Sequence, residues 1–436
     1  MISGFEKYKA VHFIGIGGIG ISAIARMMLL DGKNVSGSDR DRSKVTDELQ
    51  KIGIKVTIGQ GAQNVPEACD LVVYTHALGA DNPELVEAKG RGIPMLTYPQ
   101  TLNLISKEKY TIAISGTHGK TTTTGMVARV LMDAGLDPTV IIGSLMKNPD
   151  GTESNFTPGK SEYLVVEADE YKKSFHNLHP KILVINNIDE DHLDFYKDLA
   201  DIQDSFAEVV KKVPADGYIV TDPKNPHVTP TLKNAVGKVV DYTTHILVDV
   251  TLKIPGKHNM SNAGVALAIA DILNIKKETA VASLKDFGGL WRRFEFKGTT
   301  KKGAQVYDDY AHNPQKVFAT LESAHELFPD KKIVVVYQPH LYSRTKTLFK
   351  EFIKAFDRAD AVIFVPIYPA REPFDPTISS DMVADEIKKR GTREVHSVKD
   401  FSEAETLLKE KYDTSDHVIF TMGAGDGYTI GETILN

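Results

Sequence analysis

The stretch "AISGTHGKTTTTGMVARVLMDAG", residues 113–135, passes from an apolar run through a glycine turn into Met126, Val127, Val130 and Leu131 at helical spacing. Gly119-Lys120-Thr121 ends as a phosphate-binding loop ends. Backbone N–H groups at a helix start face an anion, Lys120 neutralises it, and the Thr121 hydroxyl is placed to ligate Mg2+. The usual loop carries its first glycine five positions before Gly119, where this chain has Ile114; here the earlier glycine is Gly116. A Gly-Thr-rich turn that only caps a helix is the competing reading, so the neighbouring segments decide.

Strand-like runs alternate with helical ones on both sides of this loop. Before it come "AVHFIGI", "NVSGSD" and "LVVYTHA"; after it come "PTVIIG", "EYLVVEAD" and "KILVINNID". A further alternation, "AQVYDDYA", "KKIVVVYQ", "DAVIFVPI" and "SDHVIFTM", starts after "GGLWRRFEFKG". Repeated strand-helix units imply parallel sheets, and 436 residues exceed one ordinary core. The fold class expected is therefore α/β in three domains, spanning residues 1–106, 107–295 and 296–436. The first and last read as Rossmann-like, and the middle one as a P-loop domain with a mostly parallel sheet.

Composition narrows the function. Apolar residues make up 42% and charged residues 25%, with a net charge of -6, so no general nucleic-acid or membrane surface is expected. Cys69 is the only cysteine, which excludes an intrachain disulfide and a multi-cysteine metal site. No apolar run approaches the roughly 20 residues of a membrane span, and a cytoplasmic location is expected.

Several motifs carry chemistry. "GIGGIG" fits G-x-G-x-x-G at Gly15, Gly17 and Gly20, with Asp39 following at about the spacing of a dinucleotide or sugar-nucleotide fingerprint, roughly 20 residues. Glu167 ends "LVVE" and His192 follows the next run, flanked by Asp189, Asp191 and Asp194, so two strand ends offer acids or imidazole to a Mg-nucleotide. Asp169 and Glu170 are weaker candidates of the same kind. "KHN" puts His258 and Asn259 at a helix start, where Asn caps a helix or reads an adenine edge. Arg292 and Arg293 are placed to clamp a terminal phosphate, or are surface charge. Asp308, Asp309, Tyr310 and His312 end another strand. On the first motif alone a nicotinamide-dependent dehydrogenase competes, and a non-catalytic nucleotide-binding module is a further alternative.

Taken in order, GIGGIG, SGTHGKTTT, EADEY, the Asp-His-Leu-Asp stretch, GKHN, RRFE, DDYAHNP, QPH and GAGD resemble the ATP-dependent Mur ligases of peptidoglycan synthesis, most of all the alanine-adding branch. The resemblance implies an amide ligase that uses ATP and Mg2+. A UDP-sugar domain, an ATPase domain and a domain that closes over ATP would join L-alanine to UDP-N-acetylmuramate through an acyl phosphate. It implies that Gly116, Thr117, His118, Gly119, Lys120, Thr121 and Thr122 hold ATP, with His258 and Asn259 at adenine, Arg293 at the γ-phosphate and Asp309 at the ribose. Thr121 and Glu167 would hold one Mg2+ and His192 a second. Gly15, Gly17, Gly18, Gly20, Ser22, Asp39, Thr75, His76 and Asn82 would line the uridine diphosphate, and Tyr310, His312 and Arg344 the muramoyl and alanine groups. The roles called catalytic are those of Lys120, His192, Glu167, Arg293 and His312. A monomer or weak homodimer is expected.

Three positions and one segment depart from family patterns. Phe206 stands where other branches carry a carbamylated lysine, Leu341 where alanine-adding enzymes have an arginine, and Asn313 where a second histidine is usual. "TYPQ", residues 97–100, replaces an Arg-Ala-Glu pattern. A recycling branch, which joins a preformed tripeptide to the same sugar nucleotide, is the alternative within the family.

Overall fold

The structure is a computed structural model and describes residues 4–76, 78–148, 151–192, 195–247, 250–370, 372–391 and 393–436; Asp194 lies outside them. Among these residues the strands form three sheets. The first holds β1 (Ala10–Ile14), β2 (Asn34–Asp39), β3 (Lys55–Ile58), β4 (Leu71–Tyr74) and β5 (Met95–Thr97), in the order 3-2-1-4-5 and parallel throughout. Because β1 pairs with both β2 and β4, the chain leaves β1 at the point where strand order reverses, and the crevice beyond the ends of β1 and β4 is where such sheets bind ligands.

The second sheet holds β6 (Tyr110–Ser115), β7 (Thr139–Lys147), β8 (Glu153–Thr157), β9 (Tyr163–Glu167), β10 (Ile182–Ile185), β11 (Tyr218–Thr221) and β12 (Lys238–Asp241), in the order 12-11-10-6-9-7-8. Only the edge strand β8 runs antiparallel there. The inner strands are near-continuous apolar runs, as strands covered on both faces require: Ile182, Leu183, Val184 and Ile185 are all 0% exposed.

The third sheet holds β13 (Glu295–Thr299), β14 (Gln305–Asp309), β15 (Lys332–Gln338), β16 (Ala361–Phe364), β17 (Glu394–Ser397) and β18 (His417–Gly423), in the order 13-14-18-15-16-17 with β13 antiparallel at its edge. The three-domain α/β reading holds. The sheets fall into two compact units, residues 1–250 with 260–287, and residues 251–259 with 288–436. The first unit contains the first two sheets, and its core runs from Phe5 through Phe13, Ile24 and Phe206 to Val228. Phe206, at the position of the family's modified lysine, is fully buried edge-on to Phe175 at 5.0 Å, so that position is core here. The second unit packs its sheet between clusters that include Phe356, Phe364 and Phe420 on one face and Val334, Ile363 and Ile419 on the other. No described helix is long and apolar enough to cross a membrane.

Candidate active site

In the second sheet β10, β6 and β9 are neighbours, so the turns after them converge. The turn after β6 is the glycine loop. Gly119 caps helix Lys120–Asp133 at φ 80°, and a Cβ there would meet Asn262 Oδ1 at 2.6 Å, so glycine is needed for both reasons. The loop backbone is fastened to the turn after β10: Thr117 N–H donates to Asn187 O (3.1 Å) and His118 N–H to Asn187 Oδ1 (2.8 Å). Asp189 N–H donates to Thr117 Oγ1 at 2.9 Å, and the His118 ring is 3.9 Å from the Asp189 carboxylate. Thr122, half-buried, lies in the first turn of the helix.

The Lys120 ammonium points back over the loop, donating to Gly116 O at 2.7 Å and to both oxygens of Glu170 at 2.9 and 2.8 Å. Burial disfavours its charge, but Glu170 and Asp169 outweigh that and raise the lysine's pKa above its ordinary value. Glu170 is thus the counter-ion of the loop lysine. The Thr121 hydroxyl donates to Glu167 Oε1 at 3.0 Å, and Glu167 Oε2 accepts Gly143 N–H at 2.7 Å. His192 sits at φ 55° with its Nε2 3.8 Å from Glu170 Oε1, its ring against Tyr171 at 4.7 Å. Ligand atoms of Asp169, Glu170 and His192 all lie within 4.8 Å of one another. Oxygen donors with one imidazole suit a hard divalent cation.

In the first sheet Gly15 follows β1 at φ 79°, and a Cβ on it would strike Thr75 Cγ2, after β4, at 2.5 Å. Gly17 N–H donates to Asp39 Oδ2 at 2.8 Å, so the acid at the end of β2 buttresses the glycine turn. Gly18 caps helix Ile19–Leu30. Ser22 is fully buried, and its hydroxyl accepts from Asn155 Nδ2 of β8 at 2.8 Å while donating to Ile19 O at 3.0 Å. Asn82 caps helix Pro83–Gly90 and donates to Gln60 Oε1 at 2.9 Å. His76 is exposed; partial burial first, and the Lys172 charge second, hold its pKa below the ordinary value. In "TYPQ", Thr97 and Gln100 form a capping box on helix Tyr98–Lys107, with Gln100 serving where a glutamate is usual.

The second unit gathers the remaining residues at the ends of β14, β15 and β18. Arg292, 4% exposed, donates to Asp308 Oδ2 at 2.8 Å and to the Gly425 and Gly423 carbonyls at 3.0 and 2.5 Å, so of the arginine pair this one is built into its own unit. Arg293 lies over the Tyr310 ring at 5.3 Å. Asp309 accepts the N–H groups of Phe294 and Ala311, each at 2.8 Å, and its burial raises its pKa. His312 Nδ1 is 2.9 Å from Tyr310 O, a carbonyl that only accepts, so the proton is on Nδ1 and the Nε2 lone pair faces away from it. Burial, then the Lys316 and Arg344 charges, hold this imidazole well below its ordinary pKa. Arg344 donates to His340 Nδ1 at 2.8 Å, and the His340 and His312 rings are 6.0 Å apart. Asn313 caps helix Pro314–Leu327 by accepting Lys316 N–H at 2.9 Å, a role histidine fills poorly. Leu341 holds φ 69°, and nothing in the structure explains a leucine there. His258 is exposed, and buried Asn259 turns its amide onto Pro255 O at 2.7 Å.

Sequence reading did not single out Glu170 as the partner of Lys120. The EADE run offers three acids, and only the turn after it decides which faces the loop: Lys172 and Lys173 there are both left-handed, at φ 51° and 56°.

Comparison with known proteins extends this geometry. Residues 10–110 match the model for "Mur ligase family, catalytic domain", residues 114–248 that for "Mur ligase middle domain" and residues 292–425 that for "Mur ligase, glutamate ligase domain". The chain is 40% identical to a UDP-N-acetylmuramate–L-alanine ligase from Clostridium botulinum, over 99% of this chain and 98% of that one. It is 41% identical to the protein of the same description from Clostridium kluyveri, over 99% of each chain. Among solved structures it resembles the UDP-N-acetylmuramate-alanine ligase of Thermotoga maritima, with 29% identity, a TM-score of 0.84 and 98% of each chain covered.

Proposed function

The chain belongs to the Mur ligase family, and on that footing we propose that it joins L-alanine to the lactyl carboxylate of UDP-N-acetylmuramate at the expense of ATP. One observation carries this reading: identity of 40% with alanine-adding ligases over essentially the whole chain. A free carboxylate is a poor acyl donor because oxide is a poor leaving group. A carboxylate oxygen therefore displaces ADP from the γ-phosphorus, forming the C–O–P bond of an acyl phosphate as the bond to the β-phosphate oxygen breaks. The alanine amine adds to the acyl carbon, and collapse of the tetrahedral intermediate forms the amide and expels phosphate.

The roles of individual residues are part of the proposal. Lys120, with the N–H groups of residues 116–122, holds the β- and γ-phosphates, and Glu170 keeps its ammonium aimed at the loop until they arrive. Thr121 with Glu167, and His192 beside Asp169 and Glu170, fit Mg2+ by donor chemistry and spacing. Mg2+ bound there supplies charge compensation for the transferring phosphoryl group. Arg293 adds to that compensation, Asp309 takes the ribose, and Asn259 with His258 takes adenine. His312, neutral with Nε2 open, accepts the proton that the alanine amine must lose, and Arg344 and Tyr310 bind the acceptor side. Gly15, Gly17, Gly18, Gly20, Asp39, Thr75, His76 and Asn82 line the uridine diphosphate, and Ser22 supports them from beneath through its bond to Asn155.

The domain limits at 106/107 and 295/296, a cytoplasmic location and a monomeric or weakly dimeric state complete the reading. Phosphate release is the test, with UDP-N-acetylmuramate, ATP, and L-alanine, glycine, L-serine or the murein tripeptide as acceptor. Turnover with L-alanine is expected, and turnover with the tripeptide alone would replace this reading with the recycling ligase.

A further inference from the structure

The last glycine of "GIGGIG" has an unusual neighbour. A Cβ built on Gly20 would stand 2.8 Å from Tyr98 Cζ and 2.9 Å from Tyr98 Oη, so this glycine makes room for a phenol. Tyr98 belongs to the "TYPQ" segment, where the family's Arg-Ala-Glu pattern is missing, and it opens helix Tyr98–Lys107. That helix is fastened to the segment following the EADE acids: Asn103 Nδ2 donates to Asn177 O at 2.9 Å, and His179 N–H donates to Ser106 Oγ at 3.2 Å. The ring is partly buried against the core of the first unit, yet among the described residues its hydroxyl has no hydrogen-bond partner. The hydroxyl is therefore available to donate to an acceptor brought to this turn.

We propose that Tyr98 is a substrate-contacting residue whose phenolic hydroxyl donates a hydrogen bond to an anionic oxygen of the sugar nucleotide at the Gly15–Gly20 turn. Nothing on that turn is basic, and its acid Asp39 is already occupied by Gly17, so a neutral donor is the complement the ligand needs there. A phenol is protonated, and hence a donor, at neutral pH. The substrate carries two anionic groups of suitable chemistry, its diphosphate and its lactyl carboxylate.

This inference rests on the sugar-nucleotide reading, and the experiment separates the two. UDP and UDP-N-acetylmuramate are titrated calorimetrically into the wild-type chain and into Tyr98→Phe, whose ring still covers Gly20; thermal midpoints and the KM values for UDP-N-acetylmuramate and ATP are measured alongside. Tyr98→Phe should bind UDP-N-acetylmuramate about 10- to 100-fold more weakly, the loss of one hydrogen bond to a charged group. Its KM for that substrate should rise, with the KM for ATP and the midpoint unchanged. An equal loss for UDP assigns the contact to the diphosphate; undiminished UDP binding assigns it to the carboxylate. Wild-type affinity of Tyr98→Phe for both ligands overturns the inference, as does a loss of affinity only in step with a fallen midpoint. A wild-type chain that binds neither ligand instead sinks the underlying reading.

Discussion

The side chains of Lys120 and Glu170 are only 13% and 3% exposed, so removing either leaves the other as a buried, unpaired charge. Breaking such a pair costs about 3–5 kcal/mol. Lys120→Ala should therefore lower the thermal midpoint as well as abolish phosphate release, and activity alone cannot tell the two effects apart. The double variant Lys120→Met with Glu170→Gln removes both charges; scanning calorimetry should find most of the midpoint restored while phosphate release stays at background. UDP-N-acetylmuramate binding should stay within a few-fold of wild type in the double variant. Recovery of activity together with stability would remove Lys120 from the phosphate site. At this scale the sequence marked the reactive types but not their pairings. Gly119-Lys120-Thr121, Glu167 and His192 were legible because their chemistry is tied to strand ends, whereas the Lys120–Glu170 and Asp39–Gly17 contacts depend on how turns fold back.

Helix Pro83–Gly90 shows how an element that carries one proposed ligand residue, its cap Asn82, is itself held. Glu84 in its first turn is fully buried and accepts from His12 Nε2 of β1 (2.9 Å), Ser38 Oγ of β2 (2.7 Å) and Asn64 Nδ2 (3.0 Å). Burial by itself would raise the carboxyl's pKa; the hydrogen bonds from His12, Ser38 and Asn64 outweigh it and leave the value lowered. A carboxyl lowered in the folded state stabilises the protein above its unfolded value, roughly 4.3, and that stabilisation is lost as pH falls through the folded one. With Gly61 N–H at 3.3 Å as a fourth donor, Glu84→Gln faces them with an amide that cannot accept from all. It should cost about 1–3 kcal/mol at pH 7 in urea unfolding, with the gap to wild type closing on acidification. A gap that widened toward low pH would contradict the assignment. Elements were legible in proportion to burial: β6, β9, β10 and β15 announce themselves as apolar runs, while "KVVD" of β12 and "EFKGT" of β13 are exposed or half-exposed edge strands without such a pattern. "ESNFT" of β8 is buried but polar, because Asn155 is matched to Ser22 rather than to a hydrophobic face.

Across the whole molecule, three open sheets give three places where strand C-terminal ends can bind ligand, and each of these ends carries a motif that stands out in the sequence. How the chain distributes them is less legible: residues 251–259 group with the second unit although 260–287 return to the first, so the division does not follow a single linker. Each unit has its own apolar core, Phe13 and Phe206 belonging to one and Phe356 and Phe420 to the other. Cores that are separate can melt separately, and a ligand stabilises only the unit that binds it, by about 2.7 kcal/mol at a hundred times its Kd. Differential scanning calorimetry of the full chain should resolve two transitions. UDP-N-acetylmuramate, whose uridine diphosphate is proposed to bind in the first unit, should move the transition of that unit upward by more than the other. The Tyr98→Phe variant should need more of this ligand for the same displacement, with its ligand-free transitions where the wild type has them. A single transition that shifts as a whole would mean that the two units unfold as one cooperative body.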